Sequence, residues 1–123
     1  MATFSKQKLS GSTNGRGIAV VATSGAGSGT TIHATGTSAS VIDELWLYAA
    51  NIDSTARTLT IEFGGTTVTS DLIQQSIAVT PSGLVLVCAG LILTGTGSAA
   101  TTVTAFASAA SKIEIFGFVN RIA

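Results

Sequence analysis

Residues 58–65 of the chain, TLTIEFGG, decide the fold class. Within this stretch the apolar Leu59, Ile61 and Phe63 alternate with two threonines and a glutamate. A period of two places successive side chains on opposite faces of a β-strand, so the stretch predicts a strand with one apolar and one polar face. The two glycines at its end tolerate positive φ and therefore end the strand in a turn.

Similar short apolar stretches recur along the chain between clusters of Gly, Ser, Thr, Asn and Asp. This spacing is typical of an all-β sandwich or barrel. The glycine-rich residues 24–29 are predicted to join two early strands into a hairpin, and residues 81–83 are predicted to form a turn. Gly90 lies within a long apolar run and predicts a bulge or bend. The further predicted strands lie within residues 18–23, 30–35, 44–51, 68–79, 84–93, 102–107 and 112–122.

About eight or nine strands and no helix are expected, which favours a single-domain β-sandwich of jelly-roll-like type. A length of 123 residues is that of one ordinary domain. Residues 1–17 show neither helical nor two-residue apolar periodicity, and they are predicted to form an extended N-terminal arm. The sandwich domain is predicted to span residues 18–123.

Charged residues make up only 10% of the chain, with six basic residues against six acidic ones. Soluble domains carry roughly 25% charged residues, so hydroxyl groups and glycines must form most of this surface. A neutral hydroxyl gives up less hydration than an ion when it is buried against a partner. The composition therefore favours extensive contact with other protein subunits, and it does not favour binding to nucleic acid or a membrane.

No constellation typical of an enzyme is present in the sequence, and no metal or cofactor is expected. His33 is the only histidine and Cys88 the only cysteine, so a zinc site would lack donors. Cys88 lies in an apolar run and is expected to be buried. Asp43 and Glu44 are expected to mark a solvated strand entry, and Arg121 a surface charge or the partner of a nearby carboxylate. The GAGSG stretch at residues 25–29 lacks the lysine of a phosphate-binding loop and favours a flexible turn.

Four segments resemble a small structural protein of tailed bacteriophages, of the capsid decoration or cement type. They are KQKLSGSTNGRGI at residues 6–18, LTIEFGGTT at 59–67 followed by DLI, SGLVLVCAGLIL at 82–93 and IEIFGFVNRI at 113–122. The resemblance implies a virion protein that binds the phage major capsid protein on the capsid surface as a homotrimer and stabilises the shell. Because no signal peptide opens the sequence, assembly in the host cytoplasm is expected.

Two groups of residues are candidates for these contacts. Lys6, Lys8 and Arg16 in the arm are expected to contact the coat. The large aromatic side chains on predicted strands are expected to form the contact between copies, because such residues carry much of the energy of interfaces. This second group comprises Trp46, Tyr48, Phe116 and Phe118.

Two alternatives remain open at this stage. One is a tail-tip or fibre-associated domain that recognises a host sugar, although the predicted loops hold few aromatic residues. The other is a head-completion or tail-tube subunit. A hexameric ring in solution would favour this alternative, whereas a trimer would favour the decoration role.

Overall fold

The computed structural model of the chain describes residues 2–22, 29–67, 69–80 and 82–123, and it describes side chains outside residues 74–78, 82 and 83. These residues form two β-sheets around one core, which confirms the predicted all-β sandwich. None of them belongs to a helix long and apolar enough to cross a membrane. The strands are β1 (Phe4–Lys8), β2 (Ile18–Ala19), β3 (Val21–Ala22), β4 (Thr30–Ala34), β5 (Ile42–Asn51), β6 (Arg57–Phe63), β7 (Leu72–Val79), β8 (Ser82–Thr94), β9 (Thr102–Ala107) and β10 (Ile113–Ile122).

The strand order is that of a jelly roll. The first sheet has the order β1-β10-β5-β8, and β2 pairs with the same edge of β10 as β1. The second sheet has the order β3-β9-β6-β7, with β4 beside β9. From β7 to β10 the chain changes sheet at every connection, so the last strand lies between an early strand and a middle one. This return of the chain is the Greek-key pattern from which jelly rolls are built.

Aliphatic side chains from both sheets fill the space between them. Along β5 and β10 every second residue points into this space, because side chains alternate between the faces of a strand. Burying one such side chain completely contributes about 1.5–3 kcal/mol. The central members of the core, all fully buried, are Leu45, Leu47, Leu59, Ile61, Val103, Ala105, Ile113 and Ile115.

Most of the predicted strands are confirmed, and so is the predicted bulge. Leu45 pairs with Leu91 and Trp46 pairs with Ala89, so Gly90 is an extra residue in β8. Its φ of 71° lies in the left-handed region that glycine adopts at low cost. The bulge turns β8 around the Trp46 ring, which leaves no room for a side chain at position 90.

The predicted hairpin between residues 18–23 and 30–35 is wrong for the residues described. The first segment divides into β2 and β3, which belong to different sheets and flank the buried Val20. β3 and β4 then lie one after the other along the same edge of β9, β3 parallel to it and β4 antiparallel. Of the connection predicted at residues 24–29, residues 24–28 lie outside the described residues, as does Pro81. The turn predicted at residues 81–83 is wrong for Ser82 and Gly83, which begin β8.

Part of the predicted N-terminal arm belongs to the first sheet. Phe4–Lys8 forms β1 and pairs along its whole length with the end of β10. Leu9, the next residue, is buried in the core at 1% exposure. These residues lack a periodic apolar pattern because β1 is an edge strand whose side chains are largely exposed.

Gly117 lies where β10 comes closest to β5. A Cβ atom at this position would overlap the main-chain carbonyl oxygen of Trp46, and the residue has a φ of 154°. Any side chain here would force the two central strands of the first sheet apart.

We therefore expect Gly117→Ala to lower the free energy of unfolding by about 2 kcal/mol, because it overpacks a backbone contact that cannot yield without moving a strand. Gly36→Ala is the control, since a Cβ atom there meets nothing within 4 Å. Its effect should stay below about 0.5 kcal/mol. Urea denaturation measures both, and equal effects of the two substitutions would contradict this account of Gly117.

Candidate functional site

The four aromatic residues predicted to contact other copies lie together on one face of the first sheet. Phe118 pairs with Trp46 across β10 and β5, and Phe116 pairs with Tyr48 in the same ladder. Residues paired directly across a ladder point to the same side of the sheet. That side is turned away from the core, because the intervening residues of both strands point inward. We call these four side chains the aromatic face.

Trp46 and Phe118 are ordered by contacts within the chain. Their ring planes lie 10° apart with the centroids 6.3 Å from each other. The Nζ atom of Lys6 lies 4.5 Å from the centroid of the Phe118 ring. Aromatic stacking and an exposed cation–π contact each contribute on the order of 0.5–1 kcal/mol. The rings of Trp46 and Phe118 are therefore held in place before any partner binds.

Glu44 fixes the orientation of the Trp46 indole. The indole Nε1–H donates to Glu44 Oε1 at 2.8 Å, and Asn120 Nδ2 donates to the same oxygen at 2.9 Å. The hydrogen bonds from Trp46 and Asn120 hold the pKa of Glu44 below its usual range, because both favour the ionised carboxylate. A charged, half-buried group thus borders the aromatic face.

Phe116 and Tyr48 form the other half of this face. The ring of Phe116 lies over Gly17, where a Cβ atom would overlap it, so the segment before β2 covers part of the ring. Both Phe116 and Tyr48 remain half-buried, as do Trp46 and Phe118. Half-buried aromatic rings expose apolar surface whose removal from water favours association.

Two of the three predicted coat-contact residues border the aromatic face. Lys6 and Lys8 pair with Asn120 and Phe118 across β1 and β10, and both are exposed. The Nζ atom of Lys8 donates to the carbonyl of Ser12 at 3.1 Å. Arg16 is exposed in the loop between β1 and β2, where its carbonyl accepts a hydrogen bond from the Ser12 hydroxyl. The structure thus combines positive charge and aromatic surface on one side of the sheet.

A buried polar cluster lies between the sheets and joins four segments of the chain. Asp43, only 1% exposed, accepts hydrogen bonds from Arg121 Nε at 2.7 Å and Nη2 at 2.8 Å. His33 Nε2 lies 2.7 Å from Asp43 Oδ2. The other ring nitrogen, Nδ1, accepts the backbone N–H of Ser10 at 3.1 Å. We call the buried His33 and Asp43, together with the exposed Ser10 and the half-buried Arg121 that bond to them, the buried cluster.

The hydrogen bonds define the charge state of this cluster. Because His33 Nδ1 accepts a hydrogen bond, it carries no proton, and Nε2 donates its own proton to Asp43. Burial by itself raises the pKa of Asp43, but the hydrogen bonds from Arg121 and His33 outweigh it, so the pKa lies below the ordinary value of 3.8. The carboxylate is therefore ionised, and it is neutralised by the guanidinium of Arg121.

A hydrolase triad also consists of a serine, a histidine and an aspartate. The geometry of these residues here differs from that of a nucleophilic site. The contact from Ser10 to the imidazole uses the backbone amide, whereas the Ser10 hydroxyl accepts the N–H of Ala34 at 2.7 Å. A triad requires the hydroxyl itself to donate to the histidine. Both imidazole nitrogens already form hydrogen bonds with other groups, so the role of this arrangement is to connect segments of the fold.

The buried cluster was not predicted from the sequence. The prediction that Asp43 lies at a solvated strand entry is wrong, although a carboxylate partner was among the expectations for Arg121. The available signal was the position of Asp43 within β5. It lies two residues before Leu45 and four before Leu47, and it therefore shares their inward-pointing face.

Cys88 is buried, as predicted, and burial raises the pKa of its thiol. Its Sγ donates to the carbonyl of Leu45 at 3.6 Å. A reactive cysteine requires a lowered pKa and access to solvent, so this thiol behaves as a core side chain. Among the residues that the structure describes, no three His, Cys, Asp or Glu side chains converge on a point where a metal ion could bind.

We expect Asp43→Asn to lower the free energy of unfolding by about 3 kcal/mol, because it leaves the guanidinium of Arg121 without its counter-charge and brings an amide N–H against a donor. Asp53→Asn is the matched control. Asp53 pairs with Arg57 at the surface, where ion pairs contribute little, so its effect should be much smaller. Chemical denaturation at pH 7 measures both variants, and a neutral Asp43→Asn variant would contradict this role.

The stability of the wild-type chain should also depend on pH through Asp43. The pKa of Asp43 is lower in the folded than in the unfolded state, so the ionised carboxylate stabilises the fold. This stabilisation is complete above the pKa of the unfolded state, and it is lost as the pH falls through the pKa of the folded state. The difference in unfolding free energy between the wild type and Asp43→Asn should therefore narrow below about pH 4. Denaturation curves from pH 7 to pH 2 test this, and a constant difference would exclude it.

No known family model matches the sequence, and no curated protein matches it significantly. Chains in two solved structures of virus particles are similar in fold. One is a chain in the structure of infectious bursal disease virus, Gx strain, with a TM-score of 0.55 and 10% identity over 98% of this chain and 32% of that chain. The other is a chain in the crystal structure of the T13 particle of the same virus, with a TM-score of 0.53 and 9% identity over 98% of this chain and 31% of that chain. The present chain thus spans about a third of the viral chains that it matches, and at this identity the likeness establishes a common fold.

Proposed function

We propose that this chain is a non-enzymatic virion structural protein, which binds the outside of a tailed-phage capsid as a homotrimer and stabilises the shell. The observation that carries the proposal is the jelly-roll fold, which matches chains of virus particles over 98% of its length. Folds host many functions, so this likeness supports the proposal together with the surface of the chain.

The composition of the surface supports assembly. With charged residues at only 10% of the chain, the exposed strands and loops consist largely of hydroxyl, glycine and apolar groups. Copies on a closed shell can use individually weak contacts, because once one contact has formed the next is effectively intramolecular. A chain of this kind is suited to a site where many neighbours surround it.

The aromatic face is the proposed contact between copies within the trimer. Its four rings are half-buried. The rings of Trp46, Phe118 and Phe116 are pre-ordered by contacts with Glu44, Lys6 and Gly17, so little side-chain entropy is lost when a partner covers them. Large, rigid aromatic groups are the residues that contribute most at protein interfaces. Lys6 and Lys8, at the edge of the same face, and Arg16, in the loop between β1 and β2, are proposed to contact acidic groups of the major capsid protein.

The location in the virion is tested by cryo-electron microscopy of phage particles purified from cultures that carry this sequence, with antibody labelling of the chain. The proposal expects density for three copies of a jelly roll on the outer capsid surface. Its solution counterpart is light scattering after size-exclusion chromatography, with a mass that is a multiple of three chains of 12.3 kDa. Label on the tail, or a six-fold ring that matches a tail tube, would overturn the decoration role.

The trimer contact is tested by Tyr48→Ala, which removes an aromatic ring from the proposed interface and should release monomers. Phe106→Ala is the matched control, because Phe106 is a half-buried aromatic residue on β9 of the second sheet. Trp46 is the only tryptophan, so its emission should shift to longer wavelength when dilution dissociates the trimer. An unchanged mass for Tyr48→Ala together with constant emission would remove the aromatic face from the interface.

A further inference from the structure

β8 ends the first sheet on the side opposite β1. β5 pairs with it on one side, and no strand of the described residues pairs with it on the other. Its 13 residues give a length of about 43 Å at roughly 3.3 Å per residue. The outer edge of a strand presents main-chain donors and acceptors that can pair with the strand of another chain.

The side chains of β8 are unusually apolar for a terminal strand. Leu84 is 58% exposed and Ile92 is 60% exposed, and Val85, Leu86 and Leu91 are exposed as well. No residue from Ser82 to Thr94 carries a charge. Natural proteins usually protect such an edge with charged residues, above all lysine. β1, at the other end of the same sheet, has this protection in Lys6 and Lys8.

Four of the five exposed apolar side chains of β8 are arranged symmetrically about its central residue, Cys88. Counting outward from Cys88, Leu84 stands opposite Ile92 and Val85 stands opposite Leu91. The directions of the side chains agree with this symmetry despite the bulges in the strand. Ile92 pairs with Glu44 and so lies on the side of the aromatic face, as Leu84 does by alternation from Leu86, the partner of Tyr48. Val85 and Leu91 pair with residues of β5 that point to the core.

We propose that β8 pairs with β8 of a second copy of this chain, antiparallel and about a two-fold axis at Cys88. A two-fold contact requires a surface complementary to itself, and the symmetric, uncharged pattern of β8 meets this requirement. Pairing places Leu84 of each copy beside Ile92 of the other on the aromatic side, and Val85 beside Leu91 on the core side. The two first sheets then form one continuous sheet, and the contact adds apolar cross-strand pairs to the main-chain hydrogen bonds.

The absence of charged residues on β8 also indicates which chain pairs with this strand. A strand from an unlike partner of either sign would find no complementary charge on β8, whereas a second copy brings neither attraction nor repulsion between ions. The energy of the contact must then come from apolar burial and main-chain pairing. Both are supplied by the same exposed residues in each copy.

Disulfide trapping tests the register directly. In a Cys88→Ala background, the variants Leu84→Cys and Ile92→Cys are mixed in equal amounts and oxidised. Positions 84 and 92 of different copies should form a covalent dimer on a non-reducing gel, because their Cα atoms lie within reach of a disulfide. Each variant alone should stay uncrosslinked, since two copies of position 84 would lie about 27 Å apart, eight residues along the strand. Equal crosslinking of the single variants, or none in the mixture, would overturn the proposal.

A charge in the interface provides a second measurement. Ile92→Lys should raise the dissociation constant of the pair at least tenfold, because the interface then buries two ammonium groups without partners, one from each copy. Ile52→Lys is the matched control, since Ile52 is also 60% exposed and lies in the turn after β5. Sedimentation equilibrium measures both variants. Weakening by both substitutions alike, or by neither, would count against β8 as the contact.

This pairing goes beyond the proposed virion role and does not depend on it. If only β8 associates, Ile92→Lys converts dimers into monomers, and if the trimer also forms, it converts hexamers into trimers. Particles that bear the chain without a β8 crosslink would refute the pairing alone. A crosslinked dimer that is absent from capsids would refute the virion role alone.

Discussion

The packing of β4 and of the N-terminal segment against the first sheet depends on the neutralisation of the buried carboxylate of Asp43. Asp43 points between the sheets, where an unpaired carboxylate would cost several kcal/mol. Arg121 of β10 supplies the counter-charge and His33 of β4 supplies a further hydrogen bond. Ser10 then ties the segment after β1 to the imidazole. Strands from both sheets and the N-terminal segment are thus linked through one carboxylate. This link constrains how these segments pack against each other.

The same two strands connect the buried cluster to the outer surface. β5 carries Asp43 on its inner side and Glu44 on its outer side, and β10 carries Arg121 and Asn120 in the corresponding positions. Because these residues pair directly, the ion pair inside sets the register that brings Asn120 to Glu44 outside. Glu44 in turn orients Trp46, which stacks on Phe118. The aromatic face is therefore a consequence of the register that Asp43 and Arg121 impose, and Gly117 permits the close approach of the strands between them.

The sequence predicts best those elements that the core alone determines. In β6 and β9 the alternation of apolar and polar residues marked the strands, and Gly90 marked its bulge. Two features were not predicted, for different physical reasons. β1 has exposed side chains and is held by main-chain pairing with β10, so no apolar pattern in the sequence predicts this strand. Asp43 looked like a surface residue because its partners lie 10 and 78 positions away in the chain, where only the fold brings them close. The aromatic residues were found by composition, but their common face follows from a cross-strand register that composition does not contain.

The two ends of the first sheet show how the chain divides its surface. β1 ends in solvent-exposed lysines, and a second copy placed edge to edge there would bring like charges together. β8 has no such protection, and its apolar residues would make an isolated copy prone to association. Selection against uncontrolled aggregation acts on every exposed edge, so a sheet with one protected edge and one unprotected edge is best explained by a regular occupant of the second. Charge is thus present on the edge strand β1, in Lys6 and Lys8, and absent from β8, the edge that is proposed to pair with a second copy.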